Sequence, residues 1–404
     1  MSAELVLKPG KEKSLLRRHP WIYATAVAEV RGRPGPGERV RVRGADGRFL
    51  AWAAFSPASQ IRARCWTWAE EELPDEAWLR ARVAAAVAAR APLMADTDAV
   101  RLVFGEADGL PGLIVDRYGR QLVTQFQAAG VEAQRAVLLE ALLAASGCTD
   151  VYDRSDAATR AREGLTETTG VIAGAEPPAL VEVQEHGVRY GVDVRRGHKT
   201  GFYIDQRDNR ALARRIAEDF RARHGRGLRA LNCFCYTGGF SLALLAGGAE
   251  EVVSIDSSAE ALALARDNTE RNRFAPDRAQ WIEADVFEQL RRLREAGETF
   301  DLVVLDPPKF ASSHHHVDRA ARAYKDISLN GLRLLRPGGH LLTFSCSGAI
   351  DVDLFQKIVA GAVIDARADM WMRARLGAGF DHPLLMTHPE GEYLKGLWLE
   401  RLGA

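Results

Sequence analysis

Beyond residue 208, short β-branched and aliphatic runs alternate with longer amphipathic stretches, and this alternation limits the fold more than any other feature of the chain. The runs at 229–233, 251–256, 280–284, 302–305 and 340–345 read as strands. Helical patterns fill 241–246, 259–272, 286–295 and 317–335 between them. Such alternation predicts a doubly wound α/β sheet with ligands at the carboxyl ends of its strands. After a helix at 353–362, stretches near 367–373 and 394–402 read as a late antiparallel pair.

The rest of the 404 residues reads differently. Residues 1–72 contain short period-2 strands separated by turn clusters, Gly32 to Gly37 and Asp46-Gly47 among them, as in a small β-barrel. An Ala/Arg-rich helix at 76–91 follows an acidic linker. Residues 73–185 are of mixed type, with strands at 101–104, 113–116, 121–127 and 151–154 and a helix at 131–145. The segment 164–178 reads as turn-rich, and 181–194 as a hairpin broken at His186-Gly187. The expected domains are therefore 1–72, 73–185 and 186–404.

Composition narrows the class. Apolar residues make up 47% and charged residues 27%, which supplies a core and argues against disorder. No apolar run approaches the ~20 residues that cross a bilayer, and residues 1–13 lack the apolar stretch of a secretory signal. Five cysteines are too few for a disulfide scaffold, so reduced thiols in a cytoplasmic enzyme are expected. The net charge of zero conceals 13 basic against 5 acidic residues in 1–68, a surplus of +8 that suggests an anion-binding surface there. Lys8, Arg17 and Arg18 supply phosphate attraction, and Trp21 an aromatic face for a base.

Three successive strand tips carry groups suited to one nucleoside ligand. Phe234-Cys235-Tyr236-Thr237-Gly238-Gly239 connects the first strand to its helix, and its glycines allow a tight turn and close backbone approach. The loop fits neither the dinucleotide G-x-G-x-x-G pattern nor a P-loop. Asp256, followed by Ser257, ends the second strand, where a carboxylate can accept ribose hydroxyls. Asp285 and Val286 follow the third, and Asp285 can accept from an adenine amino group. At the fourth tip, Asp306-Pro307-Pro308-Lys309-Phe310 is stiffened by two prolines.

These motifs resemble those of class I S-adenosylmethionine-dependent methyltransferases, with Gly238/Gly239 as the first-motif loop and Asp306-Pro307-Pro308 as the fourth. The resemblance implies S-adenosyl-L-methionine as cofactor, its methionine part at the first loop, its ribose on Asp256 and its adenine at Asp285.

Ser345-Cys346-Ser347-Gly348 closes the fifth strand, beside Asp306. A polar strand-tip loop next to a methyl donor favours a reactive thiol over an inert core cysteine. Carbon 5 of cytosine cannot attack a sulfonium methyl directly, whereas thiolate addition at carbon 6 makes it an enamine that can. Cys346 is thus the expected nucleophile, with Asp306 holding the base or assisting proton transfer.

With the segments Leu7-Lys8-Pro9-Gly10, His19 to Tyr23, Gly109 to Asp116 and Lys199 to Arg207, the chain is similar over nearly its whole length to bacterial ribosomal RNA large-subunit cytosine-5 methyltransferases. That family implies an N-terminal PUA domain, a central α/β domain, a Rossmann-like catalytic domain and large-subunit ribosomal RNA as partner. It implies no membrane association and leaves homodimer formation open. Within 199–207, Gln206 is expected at the cofactor and Lys199 and Arg207 at RNA, as is Lys309 in the fourth-motif loop. That loop lacks the second cysteine of other RNA cytosine-5 enzymes, which leaves the group that removes the carbon-5 proton unassigned. Cys233-x-Cys235 has no second ligand pair at zinc spacing, and the adjacent His314-His315-His316 in a loop rarely converge on one ion, so no metal is expected. Two other functions fit part of this pattern: methylation of an exocyclic amino group of guanine or adenine, and an idle RNA-binding assembly factor. The former enzymes place an aromatic directly after the prolines, where this chain has Lys309.

Overall fold

The computed structural model describes residues 3–155, 157–311 and 314–403, without the side chains of Ala157, Ala158 and His314. The chain divides into two compact units, residues 1–184 with 192–204 and 381–391, and residues 185–191 with 205–380 and 392–404.

The first unit begins with strands β1 Glu4–Leu7, β2 Trp21–Tyr23, β3 Val27–Arg31, β4 Arg39–Arg43, β5 Phe49–Phe55 and β6 Ile61–Thr67, and a short helix α1 Lys13–Leu16. They form one sheet in the order β2-β6-β5-β4-β1-β3. Alternation along β4 buries Val40 and Val42 and turns Arg39, Arg41 and Arg43 outward. Helix α2, Glu76–Ala89, starts where the Asp75 carboxylate accepts from the Trp78 amide at 2.9 Å. A second sheet follows, β7 Ala99–Phe104, β8 Leu113–Tyr118, β9 Gln121–Phe126, β10 Asp150–Ser155 and β11 Thr168–Ala173, in the order β11-β10-β9-β8-β7. Helices α3 Ala129–Ala133, α4 Arg135–Ser146 and α5 Ala157–Arg162 accompany it. Ala54 and Trp66 of the first sheet pack into the same core as Leu79, Val83, Leu102 and Leu113, so the segments 1–72 and 73–185 share apolar contacts.

Strand β11 lies inside the stretch expected to be turn-rich. Its flanking glycines and prolines suggest turns, but Thr168, Thr169, Val171 and Ile172 are β-branched, and Thr168, Thr169 and Val171 pair antiparallel with β10. Cross-strand pairing outweighs the local turn composition there.

The chain passes towards the second unit through the hairpin β12 Val181–Glu185 and β13 Val188–Val192. Within the second unit the order is α6 Arg207–His224, β14 Arg229–Cys233, α7 Gly239–Ala246, β15 Glu251–Asp256, α8 Ala259–Arg271, β16 Ala279–Glu283, α9 Val286–Glu295, β17 Phe300–Leu305, α10 Val317–Arg333, β18 Leu335–Ser345, α11 Val352–Ala366, β19 Met370–Gly377 and β20 Lys395–Arg401. The sheet runs β16-β15-β14-β17-β18-β20-β19. Its first five strands are mutually parallel, and β20 pairs antiparallel with β18 and β19, the late pair anticipated from the sequence. Strand order reverses at β14, which opens the crevice for a ligand above the carboxyl ends. The core beneath is aliphatic, with Leu231, Val253, Val303, Leu305 and Leu341 fully or nearly fully enclosed.

One buried ion pair fixes the start of this unit. Arg210 on α6 donates from Nε and Nη2 to the two carboxylate oxygens of Glu185 at 2.7 and 2.6 Å, and both side chains are buried. The Arg210→Ala protein is expected to lose about 3–5 kcal/mol of unfolding free energy, because Glu185 is left buried without its cation. Denaturant titration measures this; an unchanged midpoint and slope would contradict it.

Candidate active site

The first-strand loop is held by backbone geometry that few residues tolerate. Phe234, Tyr236 and Gly238 have φ of 61°, 49° and 84°, so two non-glycine residues sit in the left-handed region. A Cβ at Gly238 would lie 2.7 Å from the Trp281 ring and 3.3 Å from Ala265, which excludes a side chain there on steric as well as dihedral grounds. Asp256 braces the turn: one carboxylate oxygen accepts from the Tyr236 amide at 2.8 Å, the other from the Ser258 amide at 3.0 Å. Each oxygen keeps acceptor capacity for a ribose hydroxyl. Beneath the loop, Asn232 donates to Ser241 at 2.8 Å, and Ser241 bonds Ser254 at the same distance.

Asp285 performs a second task that its sequence position does not reveal. It is the N-cap of α9, and one oxygen accepts from the Glu288 amide at 3.0 Å. The carboxylate is exposed, so a further lone pair can still meet an adenine amino group. Ser257 is also exposed, Val286 is buried, and Thr237 and Cys235 are buried within the loop. Burial pushes the Cys235 thiol well above the ordinary range, with the Asp256 charge adding to the shift. Gln206 is buried just before α6; its amide oxygen accepts from Asn209 at 2.6 Å, while its Nε2 has no partner among the described residues.

These features fit an S-adenosylmethionine molecule: a braced carboxylate at Asp256 and an orphaned buried donor at Gln206.

Asp306 and Cys346 each follow the last residue of one of two adjacent parallel strands. Leu305 pairs with Thr343, and the chain leaves β17 at Asp306 and β18 at Ser345. Cys346 is the partly exposed member of the five cysteines, and its Sγ lies 3.9 Å from the Pro307 carbonyl oxygen. Pro307 is buried, Asp306 partly exposed, and Lys309 exposed. Ser347 ties the two loops together: its Oγ accepts from the Ala311 amide at 3.1 Å and bonds the Tyr324 hydroxyl at 2.9 Å. Burial raises the Tyr324 phenol above its ordinary range, keeping it protonated as a hydrogen-bonding group. Phe310 packs on Tyr324 at 4.8 Å between ring centroids and neighbours Phe234 and Phe287 at 6.3 and 5.9 Å. Neither Tyr324 nor Lys395, whose Nζ donates to the Ser347 carbonyl at 2.8 Å, is signalled by any motif.

The expected RNA contacts are distributed unequally. Lys8, Arg17 and Arg18 are exposed on the first unit, and Arg18 lies 5.8 Å from the Trp68 ring centroid. Trp21 is half-buried; its indole N–H donates to Glu106 at 2.7 Å and its ring packs edge-on to His388 at 4.5 Å. Lys199 is exposed, over the Tyr203 ring at 4.6 Å. Arg207 differs from expectation: it is 1% exposed, and a guanidinium so enclosed presents no surface to a phosphate. Ser312 and Ser313, beside the three-histidine run, lie outside the described residues. Among the described residues no group of three or more His, Cys, Asp and Glu is arranged to hold a metal, and no helix is long and apolar enough to cross a membrane.

Comparison with known proteins agrees with this architecture. Residues 121–367 match the family model described as S-adenosylmethionine-dependent methyltransferase, and residues 5–68 match a PUA-like domain. The chain is 46% identical over 398 residues to ribosomal RNA large subunit methyltransferase I of Erwinia tasmaniensis, covering 98% of each. The protein of the same name from Cronobacter sakazakii is 47% identical over the same length and coverage. Among solved structures, a putative S-adenosylmethionine-dependent methyltransferase from Streptococcus mutans superposes with a TM-score of 0.81 at 20% identity, covering 99% of this chain and 100% of that one. A putative methyltransferase crystallised with SAH gives 0.83 at the same identity and coverage. These two share the fold. The matched family model and the full-length relatives together mean that the chain belongs to the S-adenosylmethionine-dependent methyltransferases, in the family of the proteins called ribosomal RNA large subunit methyltransferase I.

Proposed function

We propose that this protein methylates large-subunit ribosomal RNA at carbon 5 of a cytosine, through a covalent adduct of Cys346 with carbon 6. The observation that carries the reading is the partly exposed Cys346 at the tip of β18, with its sulfur 3.9 Å from the Pro307 carbonyl of the fourth-motif loop. The names of the family relatives supply the ribosomal RNA, and the PUA-like match at 5–68 agrees with an RNA-binding segment.

Gly238, Asp256, Asp285 and Gln206 are the residues that would hold S-adenosylmethionine, which supplies a methyl group on a sulfonium when bound. The Cys346 thiolate donates its electron pair to carbon 6 of a cytosine flipped out of its stack, and the ring's double-bond electrons move to carbon 5. Once carbon 5 is methylated, loss of its proton leaves the C–H electron pair to re-form the C5–C6 double bond, and the S–C6 bond breaks with its pair returning to sulfur. Asp306 holds the N3/N4 edge of the base. Ser347 and Tyr324 fix the loop that carries the thiol.

Amino-group methylation fits the loop less well. Lys309, exposed, occupies the position where a stacking aromatic is needed, and the next aromatic, Phe310, is packed on Tyr324. Nucleoside mass analysis of ribosomal RNA treated with the protein and S-adenosylmethionine tests the choice. 5-Methylcytosine is the expected product; an N-methylated purine overturns the reading.

Lys8, Arg17 and Arg18 are proposed phosphate contacts. Through these three contacts RNA affinity is expected to fall by roughly 20–40-fold between 50 and 200 mM salt. The triple alanine variant is expected to flatten the log–log salt slope by roughly 2–3. Filter binding across a salt series measures both, and a salt-independent affinity contradicts the assignment.

A further inference from the structure

Lys395 is an unusual residue for the middle of a sheet. It begins β20, opposite Ser345 of β18 in antiparallel register, and is 3% exposed. Its Nζ crosses to the thiol loop and donates to the Ser347 carbonyl at 2.8 Å. Cys346 thus lies in the chain between the residue paired with Lys395 and the residue bonded by it. An ammonium has three donors, and a buried one bound to a neutral carbonyl has little to balance its charge. Retaining a lysine there needs an anion close by.

The charged and titratable groups that act most strongly on Lys395 are Cys346, Glu392, Asp351 and Lys309. Burial pulls the lysine below its ordinary range, Cys346, Glu392 and Asp351 push it back up, and Lys309 opposes them. Cys346 heads the groups favouring the ammonium, and it is the one among these to which the proposed chemistry assigns a negative charge. Tyr324 also senses Cys346, but its phenol is held protonated by burial and supplies no charge.

We propose that Lys395 is a positioning residue for the methyl transfer: its ammonium holds Cys346 as the thiolate and fixes the loop that aims the sulfur. This rests on the cytosine-5 reading above. The competent pair carries one proton, on Nζ; the S–H bond breaks, the N–H bond forms, and the sulfur keeps the electron pair that attacks carbon 6. When the adduct breaks down, the sulfur leaves again as thiolate beside the same cation.

The test is the pH dependence of alkylation of Cys346 by iodoacetamide in the full-length protein, read by mass spectrometry of the peptide containing that residue. The parent protein is expected to show a midpoint below the ordinary thiol value of ~8.5. Lys395→Met is expected to raise the midpoint by about one unit or more and to slow alkylation at neutral pH roughly 10-fold, with Lys395→Arg restoring part of the shift. A parent midpoint at or above the ordinary thiol value overturns the proposal, and needs no variant to fold. An unchanged midpoint in a folded Lys395→Met protein overturns it too. Methyl transfer by Cys346→Ala separates the two ideas: an active alanine protein removes the cytosine reading, whereas the alkylation midpoint reports the Lys395 pairing directly.

Discussion

Cys346→Ala is expected to bind S-adenosylmethionine as tightly as the parent protein and to transfer no measurable methyl to RNA, a loss on the order of 10⁴-fold or more in kcat. The asymmetry follows from where the side chain sits. The proposed cofactor groups Gly238, Asp256 and Asp285 follow the tips of β14, β15 and β16, whereas Cys346 follows β18 on the far side of β17. Removing one sulfur at that tip leaves Asp256 with its two amide donors. What disappears is the route to an electron-rich carbon 5, for which no other exposed thiol can substitute: Cys65, Cys148, Cys233 and Cys235 are all buried. Burial raises the Cys65 thiol to about 12, so it carries no thiolate at neutral pH. Equilibrium binding of the cofactor and single-turnover methyl transfer are the two measurements. Retained turnover in the alanine protein would contradict the mechanism, and lost cofactor binding would contradict the separation of the two roles.

Asp256→Ala is expected to weaken cofactor binding by roughly 10²–10³-fold while leaving the fold intact. Two effects add. The ribose loses its acceptor, and the loop loses a charged brace on the Tyr236 and Ser258 amides. Hydrogen bonds to a charged group contribute about 1.5–3 kcal/mol each, and every ~1.4 kcal/mol is tenfold in affinity. Tyr236 holds a left-handed φ of 49°, which costs about 1–2 kcal/mol and persists because the carboxylate fixes its amide. Without Asp256 the Tyr236 amide loses the acceptor that holds it. Calorimetric titration with S-adenosylhomocysteine measures the change; an affinity equal to the parent's would contradict the assignment.

The sheet of the second unit is legible in the sequence because each parallel strand is a short apolar run bounded by a helix of the other period, and helices and loops rarely imitate that contrast. Glycines and carboxylates at the strand tips are legible for the same reason, since a strand's carboxyl end is fixed once the strand is. The burial of an arginine is not. Arg207 looks like any cation near a site, and only the packing around the first turn of α6 encloses it. Trp21 likewise reads as a stacking face until its indole is seen bonded to Glu106, 85 residues away. Asp285 shows its position but not its capping duty on α9. Lys395 is the clearest case. It reaches the thiol loop because β20 returns antiparallel beside β18, a pairing that spans some 50 residues and has no local signature. Local periodicity reveals elements and their ends; convergence of distant side chains depends on strand order, which a single sequence does not encode in any spacing.

Trapping of the carbon-6 adduct tests the central claim most directly. RNA carrying 5-fluorocytosine at the target can accept the thiolate and the methyl group but has no carbon-5 proton to lose, so the adduct cannot break down. With S-adenosylmethionine present, the account predicts a protein–RNA species that survives denaturing electrophoresis, maps by mass spectrometry to Cys346, and is missing for Cys346→Ala. Efficient methylation of unsubstituted RNA with no such species, or a cross-link at a different residue, would contradict it.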